Sequence, residues 1–397
     1  MYSLFWKQNI CLKKTSNAEK KRDIDVYLLK IPLVKFVTYI HTHARENAER
    51  RFYLNSVFTA FYYRPGTMMQ HLSINRLESG GLITNYQCSS RCGHCLYRCG
   101  PRWPADYIED TTARSNMETM LELGCSSIHI GGGESLLKPD RLCNVLDIAA
   151  DTGMKVEYVE TNSSWVKSSD IACGILEKMM KSGLSTLLIS ISPFHNEYIP
   201  FTKVKTLMAA CRKTGMAVFP WIPEFINEIE CFDDKKTHER VEYEERFGED
   251  YWDDLPNRYW ISMGGRALET FGKAGARSTV HMLMSRSRSG CRELGQTDHF
   301  HIDLYGNFIP GLCTGLSIAC GDLGRELLPE EYPVVTTLYN EGIGGLLHLA
   351  MEQYGFEAAK PSYRVKCELC HEIRKYLVLE CKLDTKELQP GGHYRNG

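Results

Sequence analysis

Between Gly81 and Gly275 short apolar runs alternate with amphipathic stretches, and this rhythm constrains the fold more than any other feature of the chain. Leu82-Ile83-Thr84-Asn85-Tyr86 reads as a short strand. Residues 112–123 predict a helix, with Met117, Met120 and Leu121 on one face and Gly124 as its stop. Ser127-Ile128-His129-Ile130 is a strand that runs into Gly131-Gly132-Gly133. Pro139 sits where a first-turn proline is favoured, and Leu142, Val145, Leu146 and Ala149 then repeat at helical spacing up to Gly153. The alternation continues as strand 155–161, helix 170–181, strand 186–192, helix 204–214 and strand 217–222. Strands separated by helices of about 10–15 residues form βα units, and such units lie in a parallel sheet. About six units fit before Gly275, too few for the eight of a full barrel. The expected fold class is therefore α/β: a partial (β/α)6 barrel with a parallel sheet, followed by a small cysteine-rich C-terminal module.

The rest of the chain divides around this core. Residues 1–67 carry twelve Lys/Arg against five Asp/Glu and lack turn signals of their own. They are expected to be a poorly ordered basic extension, or a stretch ahead of a natural start at Met68 or Met69, and the functional alternative is a small partner-binding appendage. The core is placed at 75–284, the C-terminal module at 285–385 and a tail at 386–397. Residues 224–254 hold thirteen Asp/Glu against four Lys/Arg, interleaved with Phe225, Phe232, Tyr243, Phe247, Tyr251 and Trp252. The default for such a run is a solvated helix face, and the sharper alternative is a cover that attracts a basic substrate. A net charge of −2 removes the global case for a nucleic-acid or membrane-surface partner. No apolar run approaches the roughly 18 residues of a membrane span. The N-terminus lacks a secretory h-region, so a cytoplasmic protein is expected.

Sixteen cysteines are too few for a disulfide scaffold in 397 residues, and a cytoplasmic chain keeps its thiols reduced. Cysteines used in numbers there bind metal or do catalysis. Cys88, Cys92 and Cys95 form C-x3-C-x2-C just after the first strand, and in parallel α/β folds ligands bind where strands end. The number three is informative. Structural zinc wants four ligands, whereas a [4Fe–4S] cluster held by three thiolates keeps one iron open. Cys99 is near enough to be a fourth ligand, or else an ordinary buried thiol.

The segment ITNYQCSSRCGHCLY resembles the signature loop of the radical S-adenosylmethionine (radical SAM) enzymes. In that family the open iron binds the amino and carboxylate groups of SAM, and the cleaved SAM yields a 5′-deoxyadenosyl radical that abstracts hydrogen. The aromatic residue common before the third cysteine is His94 here. Further motifs follow in family order. Gly132-Gly133-Glu134 resembles the GGE motif that receives the SAM amino group, with Ser135 where a proline often follows. Glu160-Thr161-Asn162 resembles the Thr-Asn segment near the methionyl and ribose groups, with Ser163 in place of the usual glycine. Ser190-Ile191-Ser192 resembles a Ser-x-Asp segment, with Ser192-Pro193 where the aspartate would stand. Gly265-Arg266-Ala267 is similar to a Gly-Arg-Ala element. There Arg266 would pair with a carboxylate of SAM or substrate, or be a surface residue at a helix start. His195, at the end of the fourth strand, is either a satisfied structural histidine or a substrate contact or proton donor.

Cys291, Cys313, Cys367 and Cys370, with Cys320 or Cys381 as exchanges, carry the C-terminal module. Cys367-Glu-Leu-Cys370 is a C-x2-C knuckle. FHIDLYGNFIPGLC reads as a strand, a Gly306-Asn307 turn and a return. The pattern partly resembles auxiliary-cluster extensions of the SPASM and Twitch type and implies a second [4Fe–4S] cluster. A zinc site on the same four thiolates is the alternative. His299 and His301 face one way on the strand and are either ordinary strand residues or further metal ligands.

The resemblance implies an oxidoreductase of the radical SAM kind, with Cys88, Cys92 and Cys95 on the catalytic cluster and Gly132, Gly133, Glu134, Thr161, Asn162, Ser190 and Ser192 seating SAM. His195 and Arg266 are its candidate catalytic residues. It implies a reducing donor such as ferredoxin or flavodoxin and a peptide or protein substrate. The alternatives are a small-molecule or cofactor-building enzyme, and a non-catalytic iron–sulfur or zinc protein.

Overall fold

The computed structural model describes residues 70–272 and 275–396. The expected basic extension at 1–67 lies outside them. Five strands follow one another in the alternating region. They are β1 (Gly80–Ile83), β2 (Ser127–Gly131), β3 (Lys155–Thr161), β4 (Thr186–Ile189) and β5 (Ala217–Pro220). Each pairs in parallel with the next. The crossovers are α1 (Asp110–Glu122), α2 (Pro139–Thr152), α3 (Ser169–Lys181), a short α4 (Pro193–Asn196) and α5 (Phe201–Thr214).

Local chemistry explains these boundaries. Pro139 opens α2, and Gly153 closes it at φ 82°, a left-handed turn that carries no steric penalty without a Cβ. Ser168 caps α3 by accepting from the Ile171 N–H, and Gly215 ends α5 at φ 83°. Met117 and Met120 of α1, Leu142 and Val145 of α2 and Leu176 of α3 are buried as their spacing predicts. A fully buried side chain of this size contributes about 2 kcal/mol.

The sixth parallel strand is not where the sequence placed it. After β5, Pro220 and Pro223 end the extended run, and the chain turns into α6 (Glu224–Ile229), α7 (Arg240–Phe247) and α8 (Tyr251–Arg258). No strand is found among described residues 259–266, so Gly265-Arg266-Ala267 follows an irregular segment and leads into α9 (Ala267–Thr270). The sixth strand is β6 (Phe300–Asp303), which comes after α10 (Val280–Arg286) and lies parallel to β1 on its free side. The hairpin read at Gly306-Asn307 is present, with Gly306 at φ 77°, and joins β6 to β7 (Asn307–Ile309). A two-residue β8 (Ile318–Ala319) completes the sheet in the order β5-β4-β3-β2-β1-β6-β7-β8. The sheet is mostly parallel and does not close. The expected core at 75–284 and module at 285–385 share it, and all described residues belong to one compact unit, Met68–Gly397.

The acidic stretch is helical around its own aromatic cluster. Tyr243 is fully buried, with Phe232, Phe247, Tyr251 and Trp252 at centroid distances of 4.6–6.3 Å. The C-terminal part ends with α11 (Pro333–Tyr354), α12 (Lys366–Leu379) and α13 (Gly392–Arg395). α11 is broken at Gly342 (φ 67°), where a Cβ would lie 2.3 Å from the Ser289 carbonyl oxygen. The break lets the chain before Cys291 pack against the helix, and the Cys291 N–H donates to the Leu338 carbonyl at 2.8 Å. Among the described residues no helix is long and apolar enough to cross a membrane.

Candidate functional site

A cavity of about 250 Å³ opens where the parallel strands end. Cys88, Cys92, Cys95 and Cys99 of the loop after β1 form one wall, and Gly132 and Gly133 after β2 continue it. Thr161, Asn162 and Ser190 come from the ends of β3 and β4, with His195 beside them. The three cysteines of the triplet and most of the residues expected to seat SAM are thus brought to one surface.

The loop is folded on itself and clamped from a distance. The Cys95 N–H donates to the Cys92 carbonyl, and the Arg98 N–H to the Cys95 carbonyl. The Arg266 guanidinium donates to the carbonyls of Cys92 (2.7 Å) and Cys99 (2.8 Å), and its own N–H donates to Cys95 O. Thr270 Oγ1 donates to Gly93 O at 2.7 Å. Gly265 permits this approach, because a Cβ there would stand 2.0 Å from the Leu96 carbonyl oxygen. Arg266 is buried and does not line the cavity. It is neither a surface residue nor free to meet a carboxylate of SAM or substrate, because both terminal nitrogens hold the cysteine loop.

The thiols differ electrostatically. Burial, with Glu134 nearby, pushes Cys88 up to about 12, and Cys92 is raised by burial and its neighbouring thiols. Cys95 is lowered, chiefly by a hydrogen bond from the Cys99 thiol and then by Arg266, while Cys99 is raised. Cys99 Sγ itself donates to the Gly132 carbonyl at 3.7 Å. Asn162 Nδ2 donates to Cys88 Sγ at 3.3 Å, and the Ser90 N–H reaches the same sulfur at 3.4 Å.

Glu134 does not face the cavity. Its carboxylate accepts from the N–H of Leu136 (3.0 Å) and of Asn162 (2.7 Å) and from Thr161 Oγ1 (2.9 Å). It ties the end of β3 to the loop after β2, and burial raises it to about 7. Glu160, one residue before Thr161, lines the cavity instead. Ser163 takes φ 67°, the left-handed turn that a glycine adopts freely. Ser190 lines the cavity and Ser192 does not: Ser192 Oγ lies 2.7 Å from His195 Nδ1 and caps α4. His195 is held in place this way, and burial lowers it to about 4, so the ring is neutral near pH 7.

Aromatic and imidazole rings complete the cavity wall. His94 stacks on Trp221 at 4.9 Å, and Trp260 borders the opening. Tyr97 Oη lies 2.6 Å from His301 Nδ1, and His301 Nε2 lies 2.9 Å from His129 Nε2. The two histidines flank Gly81 in register, and a Cβ at Gly81 would stand 2.4 Å from His129 Nε2. The alternation of β6 was the available signal for His301. No residue of 224–254 lines the cavity.

The second cysteine group also converges. Cys291, Cys313, Cys367 and Cys370 act on one another electrostatically, with Cys291 raised to about 11 by burial and then by Cys370. Cys320 stands elsewhere, beside Thr119 and Asp303. Among the described residues no three His, Cys, Asp or Glu side chains are arranged to hold a single metal ion. A cluster asks for something different, since each thiolate bonds a separate iron and the sulfurs stand wider apart. The donor set suits it: three soft thiols on one cavity wall, a backbone N–H and an amide aimed at Cys88, and a guanidinium holding the loop.

No family model matches the chain, and no curated protein matches it in sequence. Several solved structures are similar to parts of it. Native anSMEcpe with bound AdoMet is 14% identical over 59% of this chain and 74% of that one, at a TM-score of 0.34. BtrN in an open conformation is 10% identical, covering 68% and 88% at 0.33. Coproporphyrinogen III oxidase (HemN) from Escherichia coli, a radical SAM enzyme, is 10% identical, covering 86% and 96% at 0.29.

Proposed function

We propose that this protein is a radical SAM enzyme. The observation that carries the reading is the meeting of Cys88, Cys92 and Cys95 with Gly132, Gly133, Thr161, Asn162 and Ser190 around one cavity at the strand ends. When bound there, a [4Fe–4S] cluster and SAM supply a 5′-deoxyadenosyl radical that abstracts a hydrogen atom from substrate. Cys88, Cys92 and Cys95 hold the cluster. Asn162 donates to the Cys88 sulfur and so stabilises its thiolate. Arg266 and Thr270 keep the loop in the shape that points three thiols one way. Gly132 and Gly133 let backbone approach the cofactor closely. His195, neutral and fixed through Ser192, offers a hydrogen bond at the cavity wall.

Cys291, Cys313, Cys367 and Cys370 hold a second [4Fe–4S] cluster in a SPASM- or Twitch-like module, supported by their mutual proximity. The electrons come from a donor such as ferredoxin or flavodoxin in the cytoplasm. A peptide or protein is the favoured substrate, because the sheet is open and exposed Trp260 borders the cavity.

The test is anaerobic iron and sulfide content together with dithionite-driven SAM cleavage. About eight irons per chain and formation of 5′-deoxyadenosine are expected. The triple variant Cys88→Ala, Cys92→Ala, Cys95→Ala should keep about four irons and lose cleavage. Cleavage that survives in this variant would refute the assignment.

A further inference from the structure

Two carboxylates stand near the triplet, and the structure separates their roles. Glu134 is engaged by three donors and turned away from the cavity. Glu160 lines the cavity and makes no hydrogen bond or ion pair among the described residues. Gly131 leaves it room, since a Cβ there would come within 3.1 Å of Glu160 Oε2. Glu134, Cys95, Tyr97 and Tyr158 act on Glu160 electrostatically, all of negative or neutral kind, and burial raises it to about 7. Nearby His129 and His301 are themselves neutral, because burial lowers them. Among the described residues Glu160 is paired with no cation and no hydrogen-bond donor, and desolvation makes such a partner worth having.

We propose that Glu160 receives an amino group brought into this cavity, either at the methionyl end of SAM or on an amine-bearing substrate. The first source rests on the radical SAM reading, and within it Glu160 does what the sequence motif assigns to Glu134. The second source stands without that reading. In both, amine N–H groups donate to Glu160, a charge-assisted bond of the strong kind.

The test uses the full-length chain reconstituted anaerobically, in wild type, Glu160→Gln and Glu160→Asp forms. Iron content and thermal midpoint serve as folding controls. SAM and its analogue lacking the α-amino group are measured by equilibrium dialysis, and lysine amide is measured on the SAM-loaded protein. If SAM is the source, Glu160→Gln weakens SAM tenfold or more and leaves the desamino analogue unchanged, while Glu160→Asp recovers part of the loss. If substrate is the source, SAM binding is unchanged and lysine amide binding falls instead. Equal binding of both ligands by wild type and Glu160→Gln overturns the proposal. A wild type that assembles no cluster and binds no SAM defeats the functional reading. The lysine amide comparison, made then without SAM, still decides the role of Glu160.

Discussion

Ser163 holds φ 67° with a side chain, fully buried, whose hydroxyl finds no partner. Left-handed backbone costs an L-residue roughly 1–2 kcal/mol, and a buried hydroxyl without a partner costs more. Ser163→Gly removes both and adds only the entropy of a more flexible unfolded chain. We expect it to stabilise the protein by about 1 kcal/mol, read as a rise of a few degrees in thermal midpoint. A drop in the midpoint would contradict this account of the turn. The same stretch shows what a sequence reveals at this scale. Cys88, Cys92 and Cys95 are legible because their geometry is local, with three thiols in one short loop. The exchange between Glu134 and Glu160 is not, because it depends on which way each strand-end carboxylate turns. Arg266 is hidden for a related reason: an arginine beside a carboxylate-binding motif looks like a ligand until its carbonyl partners are seen.

At the scale of elements, β1 contributes absence as much as substance. Gly81 lies between His129 and His301 in register, and their rings meet above it. Gly81→Ala would put a methyl group 2.4 Å from the His129 ring. It is expected to cost about 1–3 kcal/mol and to break the His129–His301 contact. Denaturant unfolding reads the first, and the ring proton shifts of the two histidines in NMR read the second. An unperturbed midpoint would mean that the rings move aside freely. The first five strands and the helices α1, α2, α3 and α5 are legible because amphipathic spacing and glycine stops are properties of consecutive residues, whereas α11 and α12 carry no such signal in the reading of the C-terminal part. The sixth parallel strand was misplaced, because alternation shows that 299–304 is a strand and says nothing about its neighbour. Its pairing with β1 is settled by tertiary contact.

At the scale of the molecule, Cys88, Cys92 and Cys95 line one cavity, and Cys291, Cys313, Cys367 and Cys370 lie outside its lining. Cys367→Ala with Cys370→Ala should therefore lower iron from about eight to about four per chain while leaving the Cys88, Cys92 and Cys95 centre assembled. Metal analysis with EPR of the reduced protein checks this. Loss of all iron would mean that the first centre depends structurally on the second.

The clamp on the cysteine loop has a consequence in the order of synthesis. A ribosome releases Cys88–Cys99 long before it reaches Arg266 and Thr270, whose bonds to Cys92, Cys99 and Gly93 span 167–177 residues of chain. Until those residues emerge, the loop has no guanidinium to gather its carbonyls and no fixed outline. The nascent chain thus presents three thiols without the frame that aims them. On the proposed reading, a translation product that stops short of residue 266 is expected to be a poor recipient of iron, because the three thiols still lack the bonds from Arg266 and Thr270.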